Sequence, residues 1–200
     1  MKYNIYYLLF VLLLAVSCGK KDNSGEATNN EQSTEATSND PSASRMDFKG
    51  DRKSDEYIKA RVAFIYEHVF AESYNDEEVN EIDFQDMPSP DEKYCTKDWN
   101  ELLAKIYDYD SVNNPDDIGY FDADYWIMGQ DGQDLSVSDI EVVKHEGDNA
   151  VVGLRLHNSG NSIKVNLDLK YERDDWFIDN FTDVDNNLDW KKDMKDYLKK

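Results

Sequence analysis

Residues 161–172 read NSIKVNLDLKYE, and this stretch decides the fold. Ile163, Val165, Leu167, Leu169 and Tyr171 alternate with Lys164, Asn166, Asp168, Lys170 and Glu172. Strict period two is the mark of a strand with one buried and one wet face. Upstream, Ala150, Val152, Leu154 and Leu156 alternate with Val151, Gly153, Arg155 and His157; downstream, Trp176 and Ile178 alternate with Phe177, Asp179 and Phe181. A fourth run, Val137 to Glu146, alternates less cleanly. The connections are Gly147-Asp148-Asn149, Ser159-Gly160-Asn161 and Arg173-Asp174-Asp175. Short polar turns of this kind suit hairpins, because Gly and Asn tolerate positive φ. The sequence therefore predicts a four-stranded antiparallel meander. Its apolar face needs a cover, which helices earlier in the chain must supply.

Those helices are legible. Over Asp55 to Tyr74, residues Tyr57, Ala60, Arg61, Phe64, Ile65, His68, Val69 and Glu72 fall on three-four spacing, mostly apolar, with Ser54 as N-cap. Asn75 to Glu92 is acidic, carries Met87-Pro88-Ser89-Pro90 and reads as a loop, with a short helix as an option over Asp76 to Phe84. Thr96 then caps a second helix over Lys97 to Asp108, striped by Trp99, Leu102, Leu103, Ile106 and Tyr107. A short helix over Asp189 to Leu198 closes the chain, with Trp190, Met194 and Tyr197 on one face. The expected fold class is α+β: N-terminal helices packed on a curved four-stranded antiparallel meander, cone-like, with a short C-terminal helix.

Upstream of the domain the chain changes character. Met1 to Ser17 has one charge, Lys2, followed by the apolar run Ile5 to Val16. A short basic end, an apolar core of about a dozen residues and a small residue at the cut make a secretory signal rather than a spanning helix. Gly19 to Ser54 is Asn, Ser, Thr, Glu, Gly and Asp with almost no large apolar residue, so it reads as a disordered tether. Such a chain spans on the order of 30 Å root-mean-square. The expected organisation is a signal peptide over 1–17, a modified Cys18 with its tether over 18–54, and one domain over 55–200. The formal net charge is -21, and loss of Lys2 with the leader makes it -22. That charge argues against nucleic acid and against electrostatic docking on an anionic membrane; it permits cationic partners or metal ions, and a solvated acidic surface is the simpler reading.

No G-x-S-x-G, P-loop, Rossmann glycine pattern or H-E-x-x-H occurs. Asp183, Asp185, Asn187 and Asp189 alternate like a calcium loop, but Leu188 and Met194 stand where an EF-hand needs Gly and Glu. Cys95 starts a helix, where a thiol can be activated, yet no base adjoins it in sequence and a buried inert thiol is the simpler reading. A hairpin centred between Val151 and Val152 would bring His157 near His145 as a two-histidine site, without a third ligand. The candidate site is the segment before the meander: Asp122, Asp124, Tyr125, Trp126, Gln130 and Asp131. It mixes carboxylates, which can do acid/base work, with aromatics that can line a pocket. The competing reading is a turn whose carboxylates cap backbone amides. The segment Asp122 to Asp134 crosses from helices to sheet, so a pocket between them would have its mouth there. No cofactor and no catalytic set is expected. A non-enzymatic module holding a small ligand or a basic envelope protein is favoured; the alternatives are a hydrolase or isomerase using Asp122, Asp124 or Asp131 as acid or base, or an immunity protein neutralising a basic toxin.

Three resemblances add to this. Leu14-Ala15-Val16-Ser17-Cys18 resembles the bacterial lipobox, with Ala15 where Leu is commoner. It implies acylation of Cys18, anchorage in a bilayer and an envelope location, either face of the outer membrane. Lys20-Lys21-Asp22 resembles the surface-export signals of Bacteroidetes lipoproteins. Over Asp55 to Lys200, the order helix, helix, Asp124-Tyr125-Trp126, Gln130-Asp131, then strands ending in Trp176 to Phe181, is similar to the nuclear transport factor 2-like (cystatin-like) superfamily. Within it the chain looks like small bacterial lipoproteins of the YbjP/YqhG type. The resemblance implies a cone of helices on a curved sheet. That superfamily hosts enzymes, binding modules and immunity proteins that neutralise toxins, and the catalytic His/Asp pair of its enzymes is missing here.

Overall fold

Three two-residue turns set the sheet. Gly147 has φ +62°, Ser159 and Gly160 have +53° and +78°, and Arg173 and Asp174 have +53° and +60°. Positive φ in the loop matches the right-handed twist of the strands it joins. The third turn achieves this without Gly or Asn. The computed structural model describes residues 46–74, 88–116 and 119–200. The leader, Cys18 and the optional helix over Asp76 to Phe84 lie outside the described residues.

Strands β1 (Ser136–Glu146), β2 (Asn149–Asn158), β3 (Asn161–Glu172) and β4 (Asp175–Asp183) form an antiparallel meander in chain order. A two-residue β5 (Leu188–Asp189), not foreseen, pairs with the end of β4. On the buried side Val152 and Leu154 of β2 pair with Leu167 and Val165 of β3. Each such side chain contributes about 1.5–3 kcal/mol relative to exposure. The less clean alternation of β1 has a cause: its register shifts between Ser138 and Glu141 and again between Val142 and Lys144. Bulges of this kind bend a strand and break its period.

The helices are α1 (Asp55–Ser73), α2 (Pro90–Tyr94), α3 (Lys97–Asn113) and α4 (Trp190–Tyr197). The fold class is α+β, with the helices covering the apolar face of the meander. Ser54 Oγ accepts the Tyr57 amide at 3.2 Å, and Thr96 Oγ1 accepts the Trp99 amide at 3.2 Å, so both expected caps form. On α1 the expected Tyr57, Arg61, Ile65 and Val69 are buried, and the buried face is wider than their stripe. Ile58, Val62 and Tyr66 are buried, while Ala60, Phe64 and His68 are half-buried and Glu72 is exposed. A helix buried over a wide face hides more than one three-four row. The α2 segment was expected to be loop, but Ser89 and Glu92 close a reciprocal capping box with Pro90 in the first turn. On α3, Tyr107 leaves the stripe and is 60% exposed. The packed region also begins before Asp55: Met46 and Phe48 lie against the core, and Trp176 Nε1 donates to the Arg52 carbonyl at 2.8 Å.

Under Trp176 lies a buried ion pair. Arg61 Nε is 3.3 Å from Asp175 Oδ2, with the side chains 0% and 1% exposed. Asp175 Oδ1 accepts the Tyr57 hydroxyl at 2.7 Å and the Trp176 amide at 2.9 Å. Burial, then the bond to Asp175, pushes the Tyr57 hydroxyl up to about 12. The Arg61 guanidinium also lies 5.4 Å from the Phe64 ring centre and 5.6 Å from that of Tyr94.

The two-histidine site does not form. The turn is at Gly147-Asp148, so His145 pairs with Ala150 and His157 with Ser136, at opposite ends of the β1–β2 pair. His145 Nδ1 meets Asp55 Oδ1 at 2.8 Å, and His157 Nε2 meets Ser138 Oγ at 2.9 Å. In the rejected calcium loop the carboxylates serve amides: Asp183 Oδ1 accepts the Asn186 amide at 3.0 Å, and Asp185 Oδ2 the Lys164 amide at 2.9 Å.

Candidate functional site

The segment leading into β1 is shaped by one asparagine. Asn158, buried at the end of β2, donates from Nδ2 to the carbonyls of Ile127 at 3.1 Å and Asp131 at 2.9 Å. Its Oδ1 accepts the Gln133 amide at 3.1 Å. Within the segment Asp124 and Gly129 exchange backbone hydrogen bonds of 2.8 and 3.2 Å, closing a small loop, and Met128 takes φ +48°. The loop drives Tyr125, Trp126 and Ile127 inward. Tyr125 packs with ring centres 5.0 Å from both Trp99 and Phe181, and Trp126 lies 4.9 Å from Phe181. The space between sheet and helices is therefore filled with aromatic core, not a cavity.

A depression of about 650 Å³ lies instead on the helix side, where the C-terminal end of α1, the start of α2, α3 and the loop meet. Asp122, Asp124, Tyr125, Trp126 and Gln130 line it, and no strand residue does. The expected mouth facing the sheet interior is thus corrected. Asp131 lies apart from it: its carbonyl is held by Asn158, its residue is exposed, and the lining does not include it. Asp122 is exposed, while Asp124 is half-buried. Residues the sequence did not single out for the site also line it, among them Tyr74 at the C-cap of α1, Asp91 from α2, Tyr107 from α3, and Phe121.

Asp91 is the centre of the polar network. Its Oδ1 accepts the Tyr125 hydroxyl at 2.8 Å, the indole N–H of Trp99 at 3.2 Å and that of Trp126 at 3.3 Å. The Cys95 thiol donates to the same oxygen at 3.6 Å. Among the described residues nothing donates to Oδ2. Asp124 is spent differently: Oδ1 accepts the Trp126 amide at 2.7 Å and Oδ2 accepts the Tyr74 hydroxyl in a short hydrogen bond. Trp126 thus grips both carboxylates, one by its indole and one by its backbone.

Burial lifts both carboxyls above the ordinary range, against the lowering effect of their hydrogen bonds. Burial also raises the hydroxyls of Tyr74 and Tyr125, helped by the neighbouring carboxylates. Cys95 is buried, and its thiol is pushed well up by burial and then by the charge on Asp91. That is the opposite of activation, consistent with an inert thiol. Among the described residues, no group of three His, Cys, Asp or Glu could hold a metal ion. No helix there is long and apolar enough to cross a membrane. Comparison of the chain with family models, curated proteins and solved structures finds no match.

Proposed function

We propose that this chain is an envelope lipoprotein, anchored in a bilayer through acylated Cys18, whose folded domain is a non-enzymatic recognition module. Its binding site is the depression formed by Asp91, Asp124 and the surrounding aromatics. The observation that carries the reading is the concavity itself, with large apolar walls and a few convergent polar groups, the usual make-up of a ligand site. Membership of the nuclear transport factor 2-like superfamily is part of the proposal. It is supported by the order of helices and meander and by the Trp176–Phe181 strand. The location rests on the lipobox resemblance alone, through the roughly 0.8 kcal/mol that each buried acyl CH₂ contributes.

The alternative is an acid/base hydrolase or isomerase. Such an enzyme needs a carboxyl free to exchange a proton with substrate. Both oxygens of Asp124 already accept hydrogen bonds, and one oxygen of Asp91 is saturated, which favours holding over turnover.

A photo-crosslinking residue at Tyr107, on the rim, tests the module in the native host; one at Val143, on β1, is the control. An adduct of defined mass from position 107 and none from 143 is expected. Equal adducts from both positions, or none from 107, would remove the assignment. Separately, Cys18→Ala should move the protein from the membrane to the soluble fraction; retention on the membrane would refute lipidation.

A further inference from the structure

We infer that the group entering the depression is an organic cation, an alkylammonium or guanidinium, received by Asp91 and the aromatic rim. This rests on the reading of the depression as the binding site. Among the described residues its lining contains Asp91, Asp122 and Asp124 and no Lys, Arg or His. Lys93, two residues beyond Asp91, is turned to Glu72 at 2.7 Å. The half-buried Asp91 is balanced by four donors, all uncharged and all on one oxygen. Asp175 has Arg61, and Asp179 has Lys170 at 3.2 Å and Lys191 at 2.7 Å, whereas the enclosed Asp183, like Asp91, is met among the described residues only by neutral donors. Asp91 differs from Asp183 in lining a depression that a cationic ligand can enter.

The rim selects the kind of cation. Tyr107, Phe121 and Trp126 offer rings, which attract a cation at their faces but do not coordinate a metal. A hard divalent ion prefers six or more oxygens, and here both oxygens of Asp124 and one of Asp91 already accept hydrogen bonds. An anion would meet three carboxylates, and a neutral ligand would bring no charge to set against them. The same chemistry already operates inside the fold, where the Arg61 guanidinium sits against Asp175 and near the rings of Phe64 and Tyr94. Arg173 likewise lies 3.7 Å from the Phe177 ring centre.

Calorimetric titration of the full-length chain in detergent tests the inference. The probes are butylguanidinium, butylammonium, the neutral butanamide and an arginine-bearing tripeptide. The two small cations should bind at least roughly tenfold more tightly than butanamide, and added salt should weaken them. If the tripeptide binds tighter still, the cation belongs to a partner's side chain; if it does not, to a small ligand. Either supports the inference. Asp91→Asn should cost about tenfold in cation affinity. Because Asp91 also holds the fold, Tyr107→Ala is the second variant: it removes an exposed wall and should cost about two- to fivefold. Equal binding of butanamide, no binding of either small cation, or cation affinity unchanged in both folded variants would overturn the inference. If Asp91→Asn does not fold, the Tyr107→Ala result decides alone. A neutral or anionic molecule cross-linked from position 107 would leave the recognition module standing and reject only the cation.

Discussion

Replacing Arg61 by Met removes a charge from the most enclosed polar site in the domain. The pair is 3.3 Å apart with both side chains essentially inaccessible. At an effective dielectric of 20 the gross attraction is about 5 kcal/mol, of which desolvation cancels much. Breaking such a pair by removing one partner costs about 3–5 kcal/mol, because the other charge stays behind. Asp175 keeps the Tyr57 hydroxyl and the Trp176 amide, so its charge would still be solvated in part. That places Arg61→Met near the lower end, about 3 kcal/mol. With a urea slope of about 2 kcal/mol/M the unfolding midpoint should fall by roughly 1.5 M. Adding Asp175→Asn removes the stranded charge while leaving an oxygen for Tyr57. The double variant should therefore recover to within about 1 kcal/mol of the parent. The cycle over both sites should return a coupling of about 2 kcal/mol or more. A loss below 1 kcal/mol in Arg61→Met, or a coupling near zero, would refute the view that this pair secures α1 to β4.

Thr96→Ala should cost about 1–2 kcal/mol in denaturant unfolding, because Thr96 both caps α3 and donates to Asp179 at 2.7 Å; Thr96→Ser should restore most of it. The carboxyls of Asp91 and Asp124 are raised in the folded state, so between the unfolded and folded values the native chain holds protons the unfolded chain has lost. Their ionisation therefore takes stability away as pH rises through that window. Relative to the parent, Asp91→Asn should look better at pH 7 than at pH 4 when unfolding midpoints are compared; no change in the difference would contradict the assignment.

The meander was legible because β2 and β3 each keep a strict two-residue period, and the hairpin register follows from loops of two residues. The position of the histidines was not, since one misplaced turn centre moves every partner. The start of α1 and of α3 was readable from Ser54 and Thr96, whereas Asp189, expected inside the last helix, is its N-cap. The helix α2 could have been read from Ser89-Pro90-Asp91-Glu92, a capping box behind which an acidic run drew attention to loop. The depression was half visible. Tyr125 and Trp126 announce themselves by composition, but Asp91 lies 33 positions before Asp124 and no local pattern links them. What joins them is Trp126, and that is a tertiary fact. Burial could not be read at Asp131 either, because the turn that points it outward is set by Asn158, on another strand.

The contacts between the start of α1 and β4 also bear on the order of events in folding. Successive strands of the meander meet across two-residue loops, so each hairpin closes at little entropic cost. The bonds from Trp176 to Arg52 and from Tyr57 to Asp175 span 124 and 118 positions. They cannot form until nearly the whole chain is present, and they reward closure only after the strands between have condensed. The hairpins should therefore nucleate, with α1 seated last by its polar contacts, and the rate of the final step should be set by search distance rather than by local propensity. Joining the two ends of the domain by circular permutation, so that α1 follows α4, would shorten that search and should speed folding without adding a single native contact.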